Sequence, residues 1–163
     1  MSRALGAEVP EPVRELLSDE PGRRIGVTVL VLTVGEGSCP HVAMVSVGEL
    51  ALVAERRLAL ALWPASICAT NLDRERRATL AVVLDGHAYS LRCRVLERRE
   101  VGGGTDPTLR GFELEVTSAL DDVAPYADLV CGVTFRLHDQ PLTVGRWRRT
   151  RSALMESFAA SKP

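Results

Sequence analysis

Aromatic residues are scarce: phenylalanine, tryptophan and tyrosine together make up 4% of the chain. The core must therefore be built from aliphatic side chains. No apolar run reaches the roughly 18 residues needed to span a bilayer, and the opening residues MSRALGAEVPEPVRE lack the apolar centre of a signal peptide. The expectation is a cytoplasmic protein with no membrane partner. Charge of one sign is missing too. Twenty Lys and Arg stand against 21 Asp and Glu, a net charge of -1, which argues against electrostatically driven binding of nucleic acid.

Short chemical motifs are equally absent. The four cysteines, Cys39, Cys68, Cys93 and Cys131, form no C-x-x-C pair of the zinc or redox kind. All four are expected as reduced, packed small hydrophobes. His41, His87 and His138 share no ligand spacing, so no metal site is expected. No Gly-x-Ser-x-Gly nucleophile elbow occurs. The Gly102-Gly103-Gly104 run is followed by neither Gly-Lys-Ser/Thr nor a helix, so it is not a phosphate loop.

What is present is globular: 163 residues, 46% apolar and 25% charged. That is enough for one domain with a substantial core. A single domain over 1–163 is expected, with an N-terminal helix and lead-in over 1–24 and a C-terminal helix over 142–163. Pro12 suits a helix's first turn, and Val13, Leu16 and Leu17 give that helix one apolar side before Pro21-Gly22 ends it. Gly26–Val34 is β-branched and nearly all apolar, which predicts a strand buried on both faces. A glycine turn at 35–38 returns the chain as a second strand, His41–Val47. Gly48–Ala54 fits either a helical turn or more strand.

Leu58, Leu60 and Leu62 alternate with alanines at a period of two, again a strand. Next comes a short helix, Ala65–Leu72, opened by small polar residues. Ala78–Leu84 is strand-like, Asp85-Gly86 signals a hairpin, and the next strand runs His87–Leu96. Val101–Arg110, with three glycines and a proline, is expected as a mobile loop, and Phe112–Val116 as a further strand. Ser118 and Asp121 suit a capped helical turn. Pro125–Cys131, with proline first and Gly132 just past its end, suits a small helix, and Gly132–Leu137 a last strand. Trp147, Thr150, Leu154 and Phe158, spaced three, four and four apart, line one face of the final helix. The fold class expected is mainly β with short helices (α+β), a six- to seven-stranded antiparallel barrel with helices at its ends.

A strand feeding a helix start leaves backbone N–H groups free to face an anion, and this chain does so at Trp63–Leu72. The buried strand, the glycine turn, Pro40-His41-Val42 opening the next strand, the small-polar helix ending Asn71-Leu72 and the run ATLAVVL together resemble the pyridoxamine-5'-phosphate-oxidase-like, FMN-binding split barrels. The resemblance runs from about Gly26 to Leu96. Further on, PYADLVCGVTF and a tryptophan opening the last helix look like one branch of that superfamily.

The resemblance implies a homodimer with a small-molecule groove between subunits, holding FMN and acting as a small oxidoreductase. By this resemblance Met44, Val45 and Ser46 flank the flavin ring, and Ser66 and Asn71 stand around its phosphate, with Cys68 at a departing position and Thr70 able to compensate; Trp147, on the apolar face of the last helix, is expected to pack inward or to cover the partner's groove. The family's basic residue and hydroxyl ahead of Asn-Leu are replaced here by Ile67 and Cys68. Arg56, Arg57, Arg92 and Arg94 are the candidates to restore the charge. Two alternatives stay open. One is a cofactor-free or weakly flavin-binding barrel dimer that acts as a binding module; the other is a related ligand, heme or a deazaflavin.

Overall fold

The computed structural model describes residues 1–159; the last four positions of the expected C-terminal helix, 160–163, lie outside them. Among the described residues there are eight strands: β1 (Ser2–Gly6), β2 (Thr28–Val34), β3 (Pro40–Ser46), β4 (Leu50–Ala54), β5 (Arg57–Leu62), β6 (Arg77–Leu84), β7 (His87–Gly102) and β8 (Thr108–Asp122). Three helices accompany them: α1 (Glu11–Ser18), α2 (Ile67–Glu75) and α3 (Gln140–Phe158). All strand pairs are antiparallel, in the order β3-β2-β6-β7-β8-β5-β4, with β1 added on β8. The two end strands, β3 and β4, are joined by a single 3-10 turn at Val47–Glu49. The sheet thus closes through the chain rather than through a ladder, and the barrel is split at that turn. The expected fold class stands, with β1 as an additional strand in the lead-in.

Side-chain alternation explains how the layers form. Leu58, Leu60 and Leu62 of β5 point into the barrel and join its main core. Ala59 and Ala61 point the other way, into a second cluster with Val101, Leu154 and Phe158. Small residues there let α3 lie close to the sheet. Gly111 of β8, paired with Ala61, continues the same seat: a methyl group on it would come within 3.0 Å of the Phe158 ring. Burying a side chain as large as phenylalanine contributes about 1.5–3 kcal/mol, so α3 is held by packing more than by helix propensity.

β2 departs from the expectation of burial on both faces. Val29, Val31 and Thr33 are buried inside, but Leu30, Leu32 and Val34 remain half-buried on the outside. They share that outer face with Met44 and Val42 of β3, which pair with Leu30 and Leu32 and are 67% and 52% exposed. One chain alone leaves this apolar face partly open.

Several local expectations need correction. Gly48–Ala54 is both alternatives in turn, a 3-10 turn and then β4. Val101–Arg110 is not one loop, because β7 runs to Gly102 and β8 resumes at Thr108, leaving only residues 103–107 as the turn. Ser118 and Asp121 cap no helical turn; both lie in β8, paired with β7 on one side, and Asp121 also pairs with Arg3 of β1 on the other. Pro125–Cys131 forms no helix, and Gly132–Leu137 forms no strand beyond a single bridge from Thr134 to Val27. Tyr126 and Val130 are about 90% exposed, so that stretch has no apolar side to bury, and an isolated helix so short is marginal in water. Of the four cysteines, Cys68 and Cys93 are packed as expected, whereas Cys39 and Cys131 are exposed.

Candidate functional site at the split of the barrel

The split places β3's end, the 3-10 turn and α3 against one another. Ser46 caps the turn: its N–H and its hydroxyl both donate to Glu49 Oε2, at 2.6 and 2.9 Å. The sequence signal for this is the Ser-x-x-Glu capping box. Gly48, at the middle of the turn, lies directly beneath the Trp147 indole; a Cβ there would sit 1.9 Å from the indole Cγ. Only glycine lets the turn approach the ring so closely. Phe135 meets the same indole edge-on, with ring centroids 6.2 Å apart. Trp147 is thereby fixed as a buried wall, the inward packing foreseen for it.

An open groove runs along this wall, lined by Met44, Val45, Ser46, Glu49, Arg146 and Trp147 among others. Val45 contributes mainly backbone, because its side chain is buried among the core residues, while Met44 projects outward. Phe135, Glu49 and Arg146 were not singled out from sequence. Phe135 comes from the stretch expected as a strand, and Arg146 stands in a run of basic residues, RWRRTR over 146–151, that carries no ligand signal of its own.

The four α2 residues do not line this groove. Asn71 is buried and donates from Nδ2 to Thr33 Oγ1 at 3.0 Å, and Thr33 pairs with His41 near the opposite end of β3. From His41 to Ser46 is roughly 17 Å of extended chain. Cys68 is also buried, and desolvation pushes its thiol up to about 11, although Thr33 bonds to it and pulls the other way. Ser66 is the N-cap of α2 and accepts from the Ala69 N–H at 3.2 Å. Thr70 donates its hydroxyl to the Ser66 carbonyl, also at 3.2 Å. A hydroxyl that accepts can still donate, so Ser66 keeps a proton for an anion and Thr70 does not. The first N–H groups of the helix, at Ile67 and Cys68, have no carbonyl one turn back to meet.

The position where the family carries a basic residue is uncharged. Ile67 is exposed and apolar. Three of the four candidate arginines are bound to carboxylates: Arg57 to Glu113 at 2.9 Å, and Arg56 and Arg94 to Glu115. Arg92 pairs across the sheet with Thr79, which places it on the outer face in the row of Leu32 and Val42. It has no carboxylate within 4 Å among the described residues.

No family model matches the sequence. The uncharacterized protein YclD of Bacillus subtilis is 32% identical over 127 residues, covering 72% of this chain and 76% of YclD. Among solved structures, a candidate pyridoxamine 5'-phosphate oxidase from Lactobacillus delbrueckii superposes with a TM-score of 0.56 at 14% identity, over 72% of this chain and 98% of its own. The chain belongs to the family of YclD, and its fold is a split barrel like that of the Lactobacillus protein. A similar structure, an FMN-binding protein from Syntrophomonas wolfei, gives a TM-score of 0.50 at 15% identity over 66% of this chain and 86% of its own. As a split barrel, the molecule has its groove where the sheet fails to close, beside the exposed face of β3.

Proposed function

We propose that this split barrel is a homodimeric FMN-binding protein that works as a small oxidoreductase. The observation that carries the reading is the groove at the split, opening beside an apolar outer face that a single chain leaves uncovered. A second copy laid on Leu30, Leu32, Val42 and Met44 would bury that face and roof the groove. The FMN-binding protein from Syntrophomonas wolfei, similar in fold, lends weight to the choice of cofactor.

The residues fit such a cofactor at one end better than at the other. Around the groove, Met44 and the Val45 backbone would flank a planar ring, Trp147 would keep water from one side, and Arg146 would supply positive charge. At α2, the Ser66 hydroxyl and the N–H groups of Ile67 and Cys68 can meet a phosphate, but Ile67 brings no charge, and three of the four candidate arginines are bound to carboxylates. Arg92 of the partner subunit, on the outer face, is the candidate to complete that end. FMN supplies reversible electron transfer to a small substrate, and the chain's part is to bind, orient and exclude water.

A second reading rests on Ile67. A charge-assisted bond to phosphate is worth roughly 1.5–3 kcal/mol, and its loss favours a dimer that binds flavin weakly or not at all and serves as a binding module. Titration of the purified protein with FMN, followed by the flavin's visible absorbance, separates the two. Saturation at one flavin per chain supports the first; no binding at tens of micromolar FMN overturns it. Ser66→Ala then locates the phosphate. It should weaken FMN while lowering stability by only about 1 kcal/mol through the lost cap, and unchanged FMN affinity would remove Ser66 from the site.

A further inference from the structure

Between β8 and α3 the chain crosses one end of the sheet's outer face as an irregular strap, residues 123–137. It is seated against that face: a methyl group on Gly132 would come within 3.2 Å of the Val83 side chain at the end of β6, and Thr134 bridges to Val27 just ahead of β2. Yet the strap turns apolar side chains outward. Val123, Tyr126, Val130 and Val133 are all exposed, Tyr126 by 90%. Asp128, in their midst, is exposed as well and meets no cation among the described residues. Apolar side chains exposed together mark a contact surface, and tyrosine is among the residues that anchor one.

The other end of the same face has the opposite character. Arg77 and Arg94 stand directly opposite each other across β6 and β7, and Arg92 follows two residues along. Like charges opposed in this way are unfavourable. Their own carboxylates relieve them only in part: Glu75 lies 3.5 Å from Arg77, and Glu115 is shared by Arg94 and Arg56. The three arginines rim an open recess of about 320 Å³ lined by Leu32, Val34 and Ala78 among others. That is room for a tyrosine ring. Six residues of β6, roughly 20 Å, separate Val83 beneath the strap from Arg77 at the recess.

Two copies packed face to face are related by a two-fold axis in the plane between them, so the face must complement itself. An axis along the strands would set arginine on arginine and strap on strap. An axis across the strands lays the strap of each copy on the basic recess of the other, twice over. Charge complementarity selects the second arrangement. We infer that the strap is a dimer clasp, with Tyr126 seated in the partner's recess and Asp128 on Arg77 of the partner subunit. The inference rests on the homodimer proposed above and not on the flavin.

The test is sedimentation equilibrium of the full chain without FMN, comparing the parent with Tyr126→Ala, Asp128→Arg, Arg77→Glu and the double variant Asp128→Arg/Arg77→Glu. All three positions are exposed, so none of the changes threatens the fold. The parent should be a dimer. Tyr126→Ala and Asp128→Arg should each raise its dissociation constant at least about tenfold, and the double variant should recover most of what Asp128→Arg loses. A parent dimer that neither change weakens, or a loss that Arg77→Glu fails to recover, would overturn the clasp and leave the dimer standing. A monomeric parent would overturn both. The expected pattern in a protein that binds no FMN would uphold the clasp and remove only the flavin.

Discussion

Gly48 and Trp147 show how much one residue can decide. With a Cβ placed 1.9 Å from the indole, Gly48→Ala cannot be accommodated without moving the ring that walls the groove. Overpacking of this kind costs about 1–3 kcal/mol. The variant should unfold at lower urea and its tryptophan emission should shift toward that of a solvated indole; an unchanged midpoint and spectrum would show that the contact is not tight. The cysteines make a second residue-scale case. Burial pushes the Cys93 thiol up to about 12 and the Cys68 thiol up to about 11, and the thiolate is the reactive form. At neutral pH a thiol reagent should therefore label Cys39 and Cys131 in the native protein, and all four cysteines only after denaturation. Fast labelling of three or four would contradict the packing. Cys93 was legible from its place in an alternating strand. Cys39 and Cys131 were not, because they sit at an edge-strand start and in an irregular stretch where no periodicity reports burial.

At the scale of elements, strands with strong alternation and turns with distinctive residues were read correctly. Asp85-Gly86 is such a turn, with both residues at positive φ, 50° and 84°, as a two-residue hairpin of this type requires. β1 escaped notice because SRALG has no β-branched residue and no apolar alternation; it is a strand only through its pairing with β8. Side chains pin it there. Arg3 bonds Asp121 at 2.9 Å, and His87 Nδ1 lies 2.7 Å from the other carboxylate oxygen. Burial alone would raise the Asp121 carboxyl, but the bonds from His87 and Arg3 outweigh it and hold it below its ordinary value. A depressed folded value means that the stabilisation is present above the unfolded carboxyl's value of about 3.9 and is lost as pH falls through the folded one. Asp121→Asn should thus be less stable than the parent at pH 7, and the gap should close progressively below about pH 4. A gap that persisted unchanged in acid would place the effect elsewhere. The segment 125–137 was misread for the converse reason. Its proline and glycine mark helix ends in a sequence sense, but Tyr126 and Val130 are left uncovered, and it is Phe135 and Leu137, further along, that pack against the core.

For the molecule as a whole, the sequence carried the barrel further than the site. β2 reads as buried on both faces, while one chain buries only the inner one, and the difference is the apolar face of Leu30, Leu32, Val42 and Met44. That mismatch supports the dimer on physical grounds, since a contiguous exposed apolar patch usually marks an interaction surface. The groove was legible as far as Met44–Ser46 and Trp147, which the fold brings together. It was illegible at Arg146 and Phe135, whose positions depend on how α3 and an irregular segment dock. The α2 residues were placed on the right helix, yet two of the four face inward, a matter of helical phase that small-residue composition does not fix.

The central claim is that flavin binds between two copies of the chain. Sedimentation velocity in the presence of a modest excess of FMN, recorded at the flavin's visible band, tests both parts at once. The account predicts a flavin-bearing boundary at twice the 17.7 kDa chain mass. Flavin that stays unsedimented, or a protein boundary at the mass of a single chain, would contradict it.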